Sequence, residues 1–408
     1  MGAGPAGLTL ALMLARQGLP VVLVEAGRDL NNRFRGQALM PSGLDVLAGM
    51  GCLPLPPAIQ QRPLAGWRFL VNGRSWFQVN EPLEEGEAQG CILINQPSLL
   101  RHLMMELKTH ACASVLLGQR VRDLLWDGKK VTGIVLTSGD TIASQLVVGA
   151  DGRSSTVRSR AGLQLHRRDD SFNLLWFRLP SPASNPLPNP LEGCFVSVIG
   201  PDGLFSAFEA AGGDVQIGWL RHQPEVQDNT RHDPLPWKER LAAASPEALG
   251  NWLRSHGDLL EAPVPLRVEV GMVRRWWVPG LLVLGDAAHP MSPVRAQGLN
   301  LALRDAWVAA HHLIPVLQPP APGTSNSGSG DELDEVLEKI ESQRRPEVET
   351  LQRLQAHETQ RGQYLLRIGW LRGLAALTAP WLGGVVARRW RHDQELLRQG
   401  VNRLPPPQ

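Results

Sequence analysis

The sequence lacks a charge excess of either sign: 41 Lys and Arg stand against 39 Asp and Glu in 408 residues. Electrostatic capture of nucleic acid requires a clustered basic surface, so this balance argues against a nucleic-acid partner. Cysteine is also sparse. Cys52, Cys91, Cys112 and Cys194 stand far apart, without the paired spacing of a zinc site or a disulfide framework, and are expected as reduced thiols with no bound metal. Long apolar runs are missing too. The most apolar late stretch, Gly373 to Ala387, is shorter than the roughly 20 residues a spanning helix needs, and Pro380, Gly383 and Gly384 interrupt it. A packed C-terminal helical hairpin is expected there. The alternative is a surface-lying amphipathic anchor with peripheral membrane contact, because Arg388, Arg389 and Arg391 follow. No charged and then apolar leader opens the chain, which leaves a cytoplasmic location as the default.

A strand is missing from the place where the chain is most informative. The sequence opens Met1-Gly2-Ala3-Gly4-Pro5-Ala6-Gly7, a dinucleotide-binding glycine fingerprint. In a βαβ nucleotide fold one such glycine makes the tight turn after the first strand, one admits the pyrophosphate, and one packs helix on strand. Only Met1 precedes Gly2, whereas a strand usually needs about five or six residues. Its loss would leave neighbouring backbone groups unpaired, at about 1 to 3 kcal/mol for each, so the natural start is expected upstream. Beyond the fingerprint, Leu8 to Gln17 has helical composition, Gly18 ends it, and the apolar run Val21 to Val24 closes at Glu25. A carboxylate about 20 residues beyond the glycines is placed to accept hydrogen bonds from ribose hydroxyls. Glu25 and the adjoining Ala26 are therefore candidate nucleotide contacts.

The expected fold is α/β, with a Rossmann-like nucleotide domain interleaved with an antiparallel-sheet domain and followed by C-terminal helices. Residues 1–65 form the first nucleotide-binding part. Residues 66–95 contribute a hairpin to the second domain, since Gly66 to Asn80 reads as two strands around the favoured turn Asn72-Gly73. Residues 96–171 return to the nucleotide domain, with a helix over Pro97 to His110 and strands from Ser114 to Gly149. Residues 172–277 form the mainly antiparallel substrate domain, with a helix around Pro236 to His256. A buried strand, Leu281 to Leu284, and a long helix from about Leu299 to Val316 make the third nucleotide-binding part, 278–317. Residues 318–331 have the composition of a disordered linker. Residues 332–408 are helical, with a break expected at Pro346.

Three separated segments then fit one ligand: the fingerprint with Glu25, GADGRSSTVR (Gly149 to Arg158), and GDAAHPMSPVRAQGLNLALRDA (Gly285 to Ala306). Together they resemble the group A flavoprotein monooxygenases, the family of para-hydroxybenzoate hydroxylase. The resemblance runs from the first residue to about residue 310. It implies FAD held by Gly2, Gly4, Pro5, Ala6, Gly7, Glu25 and Ala26, by Asp151 and Gly152 of the second motif, and by Gly285, Asp286, Gln297, Gly298, Leu299 and Asn300 of the third. Arg158 would orient Asp151. Arg35 sits where the family often places an arginine against the flavin diphosphate, and Gln96 resembles a further cofactor contact. Pro293 matches the proline beside the reactive flavin face. His289 also matches, with proton transfer and loop packing both open. The third motif makes physical sense by itself: Asp286 ends a buried strand, and Gly298-Leu299-Asn300 opens a helix whose free N–H groups carry roughly half a positive charge. One departure stands out. The family usually has two glycines before Gln297, where this chain has Arg295 and Ala296.

The chemistry so implied is carried by FAD. NAD(P)H reduces it, dioxygen adds to give a flavin hydroperoxide, and one oxygen atom hydroxylates or epoxidises an aromatic or polycyclic small molecule; the protein positions the substrate and excludes water. A substrate base is harder to find. The sole tyrosine, Tyr364, lies in the C-terminal helical region, so a tyrosine relay is not expected. His222, His232 and Glu209 are the polar candidates, and Trp176, Trp219, Trp276 and Trp277 are candidates for an aromatic cavity or for core. A flavin-dependent reductase or dehydrogenase of the same superfamily, or a non-catalytic flavin-fold protein that has lost FAD, are the alternative readings. A halogenase is disfavoured because Trp276-Trp277-Val278-Pro279 lacks the Trp-x-Trp-x-Ile-Pro spacing.

Overall fold

The structure is a computed structural model that describes residues 1–30, 37–83, 89–168, 172–181, 188–221, 235–318 and 330–406. Its helices among these residues are α1 (Pro5–Arg16), α2 (Pro41–Gly49), α3 (Gln96–Leu107), α4 (Thr156–Arg160), α5 (Leu235–Ala244), α6 (Glu247–His256), α7 (Gln297–Leu317), α8 (Gly330–Arg367) and α9 (Gly369–Gln399). The strand Val21–Glu25 pairs in parallel with Ala113–Leu117, and Val147–Gly149 pairs in parallel with Leu281–Val283. Met1 and Gly2 sit between these two parallel pairs. The Met1 amino group donates to the Val148 carbonyl at 2.9 Å, Ala150 N donates to the Met1 carbonyl at 2.8 Å, and Gly2 N donates to the Val24 carbonyl at 2.8 Å. The glycine turn is thus pinned from both sides, and α1 leaves it with most of its surface buried.

A seven-stranded sheet forms the second layer, in the order Val264–Val268, Phe172–Leu179, Val215–Arg221, Gly203–Glu209, Cys194–Gly200, Gly66–Val71, Arg74–Asn80. All its neighbours are antiparallel except Cys194–Gly200 with Gly66–Val71. Asn72 and Gly73, both at positive φ (49° and 75°), make the tight turn of the first hairpin. This is the backbone that Asn-Gly favours, because its twist matches that of the flanking strands. The hairpin therefore lies in the same sheet as strands from 172–268, more than a hundred residues later.

Two expectations about helix breaks need correction. The segment Pro236 to His256 is two helices, because Pro246 has no N–H to continue α5 and instead sits at the N-cap of α6. Conversely, α8 runs unbroken through Pro346 and α9 through Pro380. An interior proline costs about 3 kcal/mol, but α8 is held on both sides of it. Arg344 binds Asp305 and Glu347, and Arg345 donates to the Val273 carbonyl at 2.9 Å. In α9 the break expected from Gly383 is a packing device. A Cβ there would meet the Trp76 carbonyl oxygen at 2.6 Å, so glycine lets the helix lie directly on the strand Arg74–Asn80. The linker expected at 318–331 falls mostly outside the described residues.

Candidate functional site

One continuous cavity of about 1240 Å³ runs from the glycine turn, past the start of α7, to the inner face of the seven-stranded sheet, where α8 and α9 cover it. Gly2, Gly4, Pro5 and Ala6 line its first end, with Glu25 and Ala26 beside them. The glycines there answer to close approach: a Cβ on Gly2 would meet the Ala150 carbonyl oxygen at 2.4 Å, and one on Gly7 would meet the Gly2 carbonyl oxygen at 2.0 Å. Gly4, by contrast, has nothing within 4 Å of its missing Cβ, which leaves its backbone open to a ligand. No side chain caps α1, and Pro5 supplies no N–H, so the helix presents its free amides and dipole to the cavity. Glu25 is fixed by accepting from Ala3 N and Gly27 N, each at 2.7 Å.

The second and third motifs complete the cradle. Asp151 accepts from Thr156 N at 2.8 Å, Val157 N at 3.1 Å and the Ser155 hydroxyl, while Ser155 caps α4. Asp151, Gly152, Gly285 and Asp286 all line the cavity. Arg153 donates from Nε to Asp286 at 3.2 Å and ties the two motifs together. Gly298 and Leu299 bring the uncapped start of α7 to the wall, with Pro293 just before it, and Gln96 reaches the wall from α3. A pyrophosphate matches the start of α1, ribose or ribityl hydroxyls match Glu25 and Asp286, and a polarised ring carbonyl matches the start of α7. These residues fit FAD.

Several expected contacts work from behind the wall instead. Gln297 donates to the carbonyls of Arg295 (2.9 Å) and Leu397 (2.7 Å), and Asn300 accepts from Met40 N at 2.9 Å while donating to the Ala296 carbonyl at 2.8 Å. Arg158 donates to the Ala287 and Arg153 carbonyls, both at 2.9 Å. None of these three, nor Gly7, lines the cavity. They shape the loops that do. Arg35 lies outside the described residues.

Of the two readings left open for His289, its surroundings match loop packing. It is 1% exposed and off the cavity, with Nε2 2.6 Å from Asp305, which also accepts from Gly285 N at 3.0 Å and Arg344 Nε at 2.8 Å. Burial alone would raise the Asp305 pKa. The interactions with His289 and Arg344 override it and hold the carboxyl at about 2. Asp305 is therefore the buried anchor of the Gly285-Asp286 turn, and His289 is packed against that anchor rather than against a substrate.

The far end of the cavity is aromatic. Phe69 stacks on Phe77 (4.4 Å between centroids), Phe195 stacks on Phe208 (5.4 Å), and Trp67 lies 5.2 Å from Phe195. Trp176 also faces the cavity, its indole N–H donating to Gln216 at 2.6 Å, whereas Trp219, Trp276 and Trp277 are buried in the cores. The Trp67 indole donates to Glu81 at 2.6 Å, and Arg398 of α9 pairs with that same carboxylate. Sequence reading missed most of this wall. Its signal was the strand alternation that puts Trp67 with Phe69 and Ser206 with Phe208 on one face.

Arg295 stands where the two ends meet. Its guanidinium carbon lies 4.7 Å from the Trp390 ring centroid, 4.9 Å from Trp67 and 5.2 Å from Phe69, and it forms an ion pair with Glu358 of α8. Arg295 and Ala296 adopt left-handed backbone (φ 58° and 51°), the conformation glycine takes without strain, so the ion pair and the stacking hold a backbone that resists them. Among the described residues, the substrate-base candidate Glu209 does not join this site. Glu209 is engaged by Arg62 and Asn189 away from the cavity, Tyr364 is 61% exposed off the cavity, and His222 and His232 lie outside the described residues. His357 and Glu358, both on α8, do line it. Among the described residues no cluster of His, Cys, Asp or Glu is arranged to hold a metal ion, and no helix is long and apolar enough to cross a membrane.

Comparison with known proteins points the same way. The model of the family described as FAD binding domain matches residues 1–341. The chain is 33% identical to 6-methylpretetramide 4-monooxygenase of Streptomyces rimosus, over 88% of this chain and 82% of that one. It is 28% identical to the ubiquinone hydroxylase UbiL of Rhodospirillum rubrum, over 79% and 74%. Among solved structures, PqsL of Pseudomonas aeruginosa with 2-aminobenzoylacetate superposes with a TM-score of 0.69 at 20% identity, covering 96% of each chain. The 2-methyl-3-hydroxypyridine-5-carboxylic acid oxygenase superposes with a TM-score of 0.69 at 21% identity, covering 93% of this chain and 94% of that one.

Proposed function

We propose that this chain, a member of the FAD binding domain family, oxygenates a fused-ring aromatic substrate seated beside Arg295 and against the aromatic wall of the seven-stranded sheet. The chain is an FAD-dependent monooxygenase that uses NAD(P)H and dioxygen on aromatic or polycyclic small molecules. Bound FAD supplies the redox chemistry, passing reducing equivalents from NAD(P)H to dioxygen so that one oxygen atom enters the substrate and the other leaves as water. The protein supplies place and environment. The starts of α1 and α7 receive the anionic parts of the cofactor, Glu25 and Asp286 its hydroxyls, and Asp305 fixes the turn that carries Asp286.

The observation that carries this reading is that the nucleotide cradle and the aromatic chamber are one cavity, meeting at Pro293 to Ala296. The aromatic rings that line one face of the sheet favour a flat, multi-ring substrate held by stacking. The relative named for 6-methylpretetramide supports the same class. Arg295 and Glu358 are the charged pair beside the reacting position, suited to hold a phenolic or enolic oxygen. Pro293 borders the cofactor face. The four free cysteines support action in a reducing compartment such as the cytoplasm.

A substrate screen tests the proposal. The purified holoenzyme is offered single-ring and fused three- and four-ring phenols, and NAD(P)H oxidation is followed with oxygen uptake. Fused-ring compounds are expected to stimulate both together. Stimulation confined to single-ring compounds would refute the proposed substrate class.

A further inference from the structure

Helix α9 wears its side chains inside out. Towards the protein it turns small residues, with Ala376, Ala379, Gly383 and Ala387 buried, and Gly383 sits against the Trp76 backbone. Towards solvent it turns large ones: Trp370 is 73% exposed, Trp381 74% and Leu377 59%, with Leu374, Leu382 and Val385 also exposed. The spacing 370, 374, 377, 381, 385 is one helical face. Contiguous apolar surface of this kind marks an interaction site.

The charge around the face selects its partner. From Gly362 to His392 the sequence contains no Asp or Glu, yet Arg367 lies before the face, and Arg388 and Arg391 after it, all exposed. A second copy packed on the same face by twofold symmetry would set these arginines against arginines with no intervening acid, which is unfavourable. An anionic lipid surface complements them. Tryptophans flanking leucines suit the boundary between headgroups and acyl chains, and each arginine near such a surface adds electrostatic attraction.

We propose that α9 is a membrane-docking face that lies flat on anionic lipid, inserting Trp370, Leu374, Leu377 and Trp381 while Arg367, Arg388 and Arg391 engage lipid phosphates. The face begins just after Leu365, whose side of α8 lines the outer part of the cavity together with Gly362 and Gln363. Docking therefore sets the cavity's outer end beside the lipid, where an apolar substrate partitions.

Co-sedimentation of the full-length holoenzyme with vesicles tests this without any appeal to activity. Vesicles of phosphatidylcholine with about one-third phosphatidylglycerol are expected to bind it about ten-fold more tightly than phosphatidylcholine alone, with binding weakened by salt. The variant Trp370→Ser/Trp381→Ser is expected to lose about ten-fold in that binding while keeping the parent's bound FAD and far-ultraviolet dichroism. Arg388→Glu/Arg391→Glu should abolish the preference for the anionic lipid. Three results would overturn the proposal: no sedimentation with anionic vesicles at low salt, undiminished binding by the folded tryptophan variant, or a solution dimer that the tryptophan variant dissolves, which would assign the face to a second copy.

Discussion

Arg344→Met removes the cation at the centre of a buried charge network that links α7, α8 and the Gly285-Asp286 turn. Arg344 is 1% exposed and pairs with two fully buried carboxylates, Asp305 and Glu347. Methionine keeps much of the volume, so the change isolates charge from packing. Removing one partner of a buried ion pair costs about 3–5 kcal/mol. Here each carboxylate retains a second partner, since Glu347 still accepts from Arg304 Nε at 2.8 Å and Asp305 still has His289. The loss is therefore placed at the lower end, about 3 kcal/mol at pH 7. Because Asp305 also receives Gly285 N, FAD affinity should fall along with stability. Urea denaturation of the apoprotein, followed by far-ultraviolet dichroism, gives the first quantity, and quenching of flavin fluorescence on titration gives the second. A stability loss under about 1 kcal/mol would refute the assignment of Arg344 as the compensating charge. So would an unchanged flavin affinity in a variant that does lose stability.

Acid should erase part of the same network. The Asp305 pKa is lowered from 3.8 to about 2 in the folded state, so its contribution is complete above pH 3.8 and is lost as pH falls towards 2. The stability difference between parent and Asp305→Asn is thus expected to shrink over that window, and urea midpoints at successive pH values would show whether it does. Gly7→Val drives a side chain into the Gly2 carbonyl, 2.0 Å from the new Cβ, and should weaken FAD binding by about ten-fold or more, roughly 1.4 kcal/mol. An unchanged flavin titration would refute the cradle geometry. Glu358→Gln leaves the Arg295 cation uncompensated in the chamber and should lower kcat/KM for the organic substrate by about ten-fold, with FAD affinity unchanged; steady-state kinetics beside a flavin titration separate the two. Gly383→Val forces α9 off the Trp76 carbonyl and should cost about 2 kcal/mol, read as a lower urea midpoint.

What was legible in the sequence was what is local or carried by backbone chemistry. The Asn72-Gly73 turn, the glycine turn at Gly2 to Gly7, and the strand that delivers Asp286 each follow from a few adjacent residues, and the structure describes them in those places. The second half of the site is built from long-range encounters with no local signature. Glu358 reaches Arg295 across 63 residues and Arg344 reaches Asp305 across 39. On α8 both acceptor and donor read as ordinary members of a charged helix. Proline misled in both directions: Pro246 takes an extended ψ of 154° as the N-cap of α6 and divides two helices, whereas Pro346 sits among anchored arginines and does not. His289 was recognisable as part of a motif, but only the burial of Asp305 distinguishes an anchor from a proton carrier.

With FAD bound, this chain transfers one atom of dioxygen to an organic substrate using electrons from NAD(P)H. The most direct test supplies the FAD-loaded enzyme with NAD(P)H, a substrate from the fused-ring screen and ¹⁸O-labelled dioxygen, and measures the product mass. One labelled oxygen atom per product molecule, with one NAD(P)H consumed for each, is the predicted result. Stimulated NAD(P)H oxidation that yields hydrogen peroxide and unlabelled substrate would contradict it.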